Sequence, residues 1–189
     1  MKGPLFLYFF LSIFIQNSMF GQENDGIMIK LGQYHPTGTI KETYNSGIGF
    51  EIGYCGIDED FITEISIGYI KMTPINDIIY YQYTDDYGDV HNAVYEFDNY
   101  VLIPISFSGA RKLKFSDKHS FFIGLGVGII NYKYSDTNNS EIGNTVALMP
   151  KTGFSFSITK ALSLLLDIKY NYQPFESRST WSTSIGVVF

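Results

Sequence analysis

The sequence predicts an all-β fold: an eight-stranded antiparallel up-and-down transmembrane β-barrel behind a cleaved signal peptide. Three observations carry this expectation. Beyond residue 26 the hydrophobic period is two rather than 3.6, over eight separate stretches. The face opposite the large apolar side chains is mostly Gly and Ser with isolated charges, where a soluble sandwich would show a charge-rich surface. The chain also ends on the alternating stretch WSTSIGVVF, whose last residue is an aromatic, Phe189.

Composition agrees with a strand-and-turn protein. The 189 residues contain 16 Phe and 15 Tyr, while charged residues make up 17%, below the usual quarter of a soluble domain. The formal charge of −6 excludes the basic footprint of nucleic-acid binding. A single cysteine, Cys55, rules out an internal disulfide and a multi-cysteine metal site, and reads as a small apolar strand residue.

The N-terminus has Lys2, an apolar run from Leu5 to Ile15, and then polar and small residues. That run is too short to span a bilayer as a helix, which takes about 20 apolar residues. Residues 1–21 therefore read as a secretory signal peptide, cut near residues 21 and 22, and residues 22–189 as one barrel domain. A secreted chain of this size without disulfides gains stability from a closed sheet in lipid, where every backbone group pairs.

The strands follow in order. Residues 27–34 put Ile27, Ile29 and Leu31 on one face. In 47–55, Ile48, Phe50, Ile52 and Tyr54 alternate with Gly and Glu51; after the GIDED turn, 61–73 sets Phe61, Ile65, Ile67 and Tyr69 against Glu64, Ser66 and Gly68. Residues 100–108 carry Val101, Ile103, Ile105 and Phe107, and 121–134 oppose Ile123, Leu125, Val127 and Ile129 to three glycines. The sixth strand, 145–159, presents Leu148, Phe154, Phe156 and Ile158; the seventh, 162–172, presents Leu162, Leu164, Leu166, Ile168, Tyr170 and Tyr172. The closing strand is 181–189. Pro104 and Pro150 each remove a ladder donor, so each requires a bulge or a revised strand limit.

Face polarity sets the topology. Small side chains suit the inside of a narrow barrel, and the apolar face then meets lipid, flanked by aromatic residues at interface depth. Connections alternate: GIDED, the segment near residues 112–118 and TKA are tight, while residues 35–46, 74–99 and 135–144 are long and the last connection, around ESRST, is short. Short turns read as periplasmic and long loops as external. Within 74–99, IIYYQY and VHNAVYEF flank TDDYGD, so the third and fourth strands are expected to continue beyond the membrane as an extracellular hairpin.

The stretch Tyr100-Val101-Leu102-Ile103-Pro104-Ile105, the Gly-rich FFIGLGVGI and the terminal GVVF resemble the PorT-like barrel domain group of small Bacteroidota outer-membrane proteins, within the wider OmpA-like eight-stranded architecture. The resemblance implies a Gram-negative outer-membrane location, contact with outer-membrane lipid, and insertion by the barrel assembly machinery. In that light the outward residues Ile185, Val187 and Phe189 are similar to the C-terminal signal that machinery reads. It brings no catalytic residues.

Nor do the residues themselves propose any catalytic, cofactor or metal site. His35, His91 and His119 lack the His-x-Ser spacing of lipid A deacylases, and Asp85, Asp86 and His91 in one loop bear only a loose similarity to the acidic and His groups of omptin proteases. The acids of TDDYGD and SDTNNSE lack ordered calcium-ligand spacing and read as solvated turns. Tyr80, Tyr81, Tyr83 and Tyr87 serve either as a binding surface or as cross-strand packing. Six charges fall on the small-residue face: Lys30, Glu51, Glu64, Lys151, Asp167 and Lys169. They are expected to form a structural network that plugs the lumen, with Lys30 between Glu51 and Glu64 on adjacent strands. The functional expectation is a non-enzymatic barrel with a structural, adhesive or accessory role and an unknown ligand. The alternatives are an OmpW-like channel or transporter for a small apolar ligand, a membrane-embedded hydrolase, and a soluble lipocalin-like barrel with its apolar face inward.

Overall fold

Period-two alternation over most of the chain leaves each strand one apolar and one small or polar face, and a sheet with two such faces is satisfied by closing on itself. The computed structural model describes residues 24–135, 140–159, 161–174 and 178–189. The expected signal peptide and the connection residues 136–139, 160 and 175–177 lie outside them. The strands are β1 (Asn24–Pro36), β2 (Gly47–Ile57), β3 (Phe61–Met72), β4 (Ile78–Thr84), β5 (Val90–Glu96), β6 (Tyr100–Lys114), β7 (His119–Ser135), β8 (Ser140–Thr159), β9 (Leu162–Asn171) and β10 (Thr180–Val188). One 3-10 turn, Gly38–Glu42, lies between β1 and β2.

Eight of these strands form a closed antiparallel barrel in the order β1-β10-β9-β8-β7-β6-β3-β2, so chain neighbours are sheet neighbours once the β4–β5 hairpin is set aside. Closure runs from Met28 opposite Val188 to Pro36 opposite Thr180, and the Phe189 amide donates to the Ile27 carbonyl at 3.0 Å. Both described ends therefore meet at the rim of short turns. The other rim carries the long connections.

The outer wall is apolar. Ile29, Leu31, Ile52, Ile65, Ile67, Ile105, Leu125, Val127, Ile168 and Ile185 are all exposed along its middle. Exposed aromatics ring it at both heights, with Phe50, Tyr69, Tyr170, Tyr172 and Trp181 toward the loop end and Tyr54, Phe61, Phe154 and Phe189 toward the turn end. An apolar exterior around a charged interior inverts a soluble barrel and is the distribution of a wall that faces lipid. The lipocalin-like alternative is thereby excluded.

The interior has three layers, not the uniformly small and polar filling that alternation alone suggests. At the turn end Met28, Cys55, Ile57, Ile62, Ala110, Phe122, Leu165 and Val188 pack together. At the loop end Tyr34, Ile40, Tyr44, Ile70, Met72, Tyr100, Leu102, Ile130, Tyr132, Ala147 and Met149 do the same. The charges are held between them. Alternation marks which residues point inward, but the height at which each meets its neighbours depends on register.

Three further expectations are corrected. Neither proline causes a bulge or ends a strand: pairing of β3 with β6 runs from Ile67–Ile105 to Ile70–Leu102 in one register, and β8 keeps continuous register with β7 through Pro150. Each proline interrupts the ladder on one side only. Opposite Pro104 stands Gly68, where a Cβ would meet Glu51 Cγ at 2.9 Å and Pro104 Cγ at 3.1 Å. The strands around the third long connection also extend beyond their expected limits, to Ser135 and from Ser140, so much of the expected 135–144 loop is strand. Finally, the 74–99 hairpin does form, but as a separate two-stranded sheet rather than a continuation of the barrel strands. Its root is tied to the barrel by Ile75 N–H donating to Thr43 O at 2.8 Å and Asp98 N–H donating to Ser135 O at 2.9 Å.

Candidate functional site

The interior charges come from five strands: Lys30 on β1, Glu51 on β2, Glu64 on β3, Lys151 on β8, and Asp167 and Lys169 on β9. All six are buried. Glu64 accepts from Lys151 Nζ at 2.7 Å and Lys30 Nζ at 3.0 Å, and Lys30 also pairs with Asp167. Glu51 pairs with Lys169 and accepts from Tyr34 Oη at 2.6 Å and Ser66 Oγ at 3.1 Å. Ser184 donates to Asp167, and Lys151 also donates to Ser108 Oγ at 3.1 Å. Three ammonium and three carboxylate groups thus cancel in formal charge where all six residues are buried, the condition under which buried charges persist.

This geometry departs from the expected arrangement. Lys30 does stand opposite Glu51 in the β1–β2 ladder, yet its ammonium reaches Glu64 and Asp167. Glu51 and Glu64 are not opposite each other, because Glu51 faces Gly68 and Glu64 faces Cys55. The cation for Glu51 is Lys169, which comes from the far side of β1 and β10. The physical reason is lumen width: an eight-stranded barrel is narrow enough for a lysine stem to cross it. At Gly186 a Cβ would meet Lys30 Cγ at 2.6 Å, so the missing side chain leaves room for that stem. Pattern reading does not single out Tyr34, Ser66, Ser108 and Ser184 as members of the network. Tyr34 is within its reach, since it lies on the inward face of β1 four positions after Lys30.

At the loop end the Arg178 guanidinium lies 4.9 Å from the Tyr132 ring centroid and 4.8 Å from that of Tyr134, with Nη2 3.4 Å from Glu141 Oε2. Tyr132 and Tyr134 each donate to Glu141 at 2.6 Å. Arg178 precedes β10 while its partners sit on β7 and β8, so its side chain links these elements at the loop end. From the turn end to the loop end the described interior thus holds an apolar layer, the charges, a second apolar layer and this clamp.

The histidines lie apart. His35 Nδ1 is 2.7 Å from Ser46 Oγ and its ring stacks on Trp181 at 4.0 Å, near the loop rim. His119 Nδ1 is 2.9 Å from Ser116 Oγ at the turn end. Among the described residues neither pair has a carboxylate in contact. His91 Nε2 is 2.9 Å from Asp85 Oδ2, and Asp85 Oδ1 accepts from the Tyr87 and Asp89 amides at 2.9 and 3.0 Å. Asp85 thus shapes the hairpin turn, and the His91 hydrogen bond, with those amides, lowers its pKa below the ordinary carboxylate value. Gly88 supplies the positive φ of 87° that this turn requires. Asp86, beside it, joins none of these contacts, and no group of three or more His, Cys, Asp or Glu side chains among the described residues is placed to hold a metal ion.

Among solved structures the chain is similar to Neisserial surface protein A, with a TM-score of 0.60 and 13% identity over 86% of this chain and 94% of that one. It is also similar to Ail, the attachment invasion locus protein of Yersinia pestis, solved with the heparin analogue sucrose octasulfate: TM-score 0.53, 13% identity, 87% of this chain and 95% of that one. The fold is that of the small outer-membrane barrels. At such identities the likeness is one of fold alone. No protein-family model matches the sequence, and no curated protein is similar to it at a significant level.

In such a barrel the outward-facing C-terminal residues border β1: Ile185 is opposite Leu31 and Val187 opposite Ile29, while Phe189 is 60% exposed at the turn-end rim. These three lie on the lipid-facing side of the seam that closes the barrel.

Proposed function

We propose that the mature chain is an integral outer-membrane protein whose barrel is a non-enzymatic, non-conducting support, and whose working surface is the loop end, turned to the cell exterior. The observation that carries this reading is the neutral charge layer between two apolar layers, which supports a lumen filled by side chains rather than an open path. It disfavours the channel or transporter alternative. A role in surface attachment is supported by the fold shared with Ail and by the protruding β4–β5 hairpin. The signal peptide at 1–21, the reading of Ile185, Val187 and Phe189 as an assembly signal, and the narrower kinship with PorT-like Bacteroidota barrels belong to the same proposal. That kinship rests on the stretch from Tyr100 to Ile105, the Gly-rich FFIGLGVGI and the terminal GVVF.

Fractionation tests the reading. The protein is expected to stay in the outer-membrane fraction after carbonate washing and to migrate faster on a gel unheated than boiled. Recovery from the soluble periplasm overturns it.

A further inference from the structure

An isolated two-stranded hairpin is marginally stable in water, yet among the described residues β4 and β5 form a sheet of two strands with no third strand beside them. One face of the hairpin sets Tyr80 directly opposite Val94, 80% and 43% exposed, with Ile78 and Glu96 on one side of them and the hydrogen-bonded Gln82–Asn92 pair on the other. No described strand pairs with the outer edge of either one, and such an edge is a template for another strand. Charge narrows the choice of partner. Residues 74–99 hold six carboxylates, on Asp77, Asp85, Asp86, Asp89, Glu96 and Asp98, and no Lys or Arg. Six matches the magnitude of the whole chain's formal net charge, −6, while the lumen groups cancel among themselves.

We propose that the β4–β5 hairpin is a docking platform for a basic, extended segment of a partner protein. The segment adds a strand to a hairpin edge, lays its apolar side chains beside Tyr80 and Val94, and places its Lys or Arg among the carboxylates. A second copy of the hairpin is disfavoured because like charges would face each other, and anionic lipid or sulfated sugar is disfavoured for the same reason. The proposal deepens the surface-attachment reading and rests on the loop end facing outward.

The test uses the purified full barrel in neutral detergent micelles and labelled short peptides read by fluorescence anisotropy. An alternating Lys–Val peptide is expected to bind, with affinity falling as salt rises. A Glu–Val peptide of equal length is expected not to bind, and a Lys–Val peptide N-methylated at alternate amides is expected to bind about tenfold or more weakly, because strand addition needs those donors. The combined variant Asp77→Asn, Asp86→Asn, Asp89→Asn and the pair Tyr80→Ser with Val94→Ser should each weaken binding by about tenfold. An unchanged gel shift on heating shows that the barrel itself is intact in each variant. Equal binding of the N-methylated peptide, binding of the Glu–Val peptide, indifference to both sets of variants, or hairpin-dependent self-association overturns the proposal. Because binding is measured on isolated protein, its failure leaves the outer-membrane reading to stand or fall by fractionation.

Discussion

Lys30 is the residue on which the interior turns. Its ammonium serves Glu64 and Asp167 together, so Lys30→Met leaves the buried Asp167 without a cation and Glu64 with Lys151 alone. Removing one partner of a buried pair typically costs about 3–5 kcal/mol, and the variant barrel is expected to lose its heat-resistant gel form at a lower temperature. Adding Asp167→Asn in the same background should restore part of the loss, because it returns the layer to neutrality with Glu64 held by Lys151 and Glu51 by Lys169. Glu51→Gln should restore little, because it strands Lys169. A Lys30→Met barrel that melts like wild type refutes the network. Asp85 yields a second residue-scale expectation, this time outside the membrane. Its folded pKa is depressed, so its contribution to the turn is complete above the unfolded carboxylate value of 3.8 and is lost as the pH falls below it. The Tyr87 and Asp89 amides should show rising disorder by NMR as the pH drops from about 5 through that range, with barrel amides unaffected. Amides that hold their positions through the acid range count against the capped turn.

At the scale of elements, the seam between β1 and β10 is the last pairing needed to close the sheet, since its partners come from opposite ends of the chain. Phe189 sits at that seam, exposed outward and held by one backbone bond to Ile27. Phe189→Lys or deletion of Phe189 should therefore lower insertion in cells while shifting the melting of an already assembled barrel only slightly. Unchanged surface levels would remove it as an assembly determinant. The strand faces are legible in the sequence because alternation survives in each segment: Ile29, Leu31, Ile65 and Ile185 point outward as their spacing requires. Strand lengths are less legible. The stretch 140–144 reads as a polar loop but continues β8, because its partners on β7, among them Tyr132 and Tyr134, supply pairing that no local pattern announces. The hairpin's existence is written in TDDYGD and its flanks, whereas its detachment from the barrel sheet is not.

For the whole molecule, the proposed plugged lumen leads to a conductance expectation. Reconstituted into a planar bilayer, the barrel should show no steady ion current. Arg178→Ala, which releases the mouth clamp, should not open one either, since the charge layer and two apolar layers remain beneath it. A stable ohmic current from the intact protein would return the channel reading.

Local patterning settles which residues share a face of each strand and predicts a barrel, because a period of two joined to turn signals says that much. That the apolar face points outward and the charges inward is decided by the closed structure. Which charges meet is settled only when the barrel closes. Proximity along neighbouring strands groups Glu51 with Glu64 and Lys30, yet Glu51 belongs to Lys169, three strands away around the wall. Pairings across a lumen are fixed by closure and by the stagger of the strands, and neither quantity is carried by any one segment of sequence.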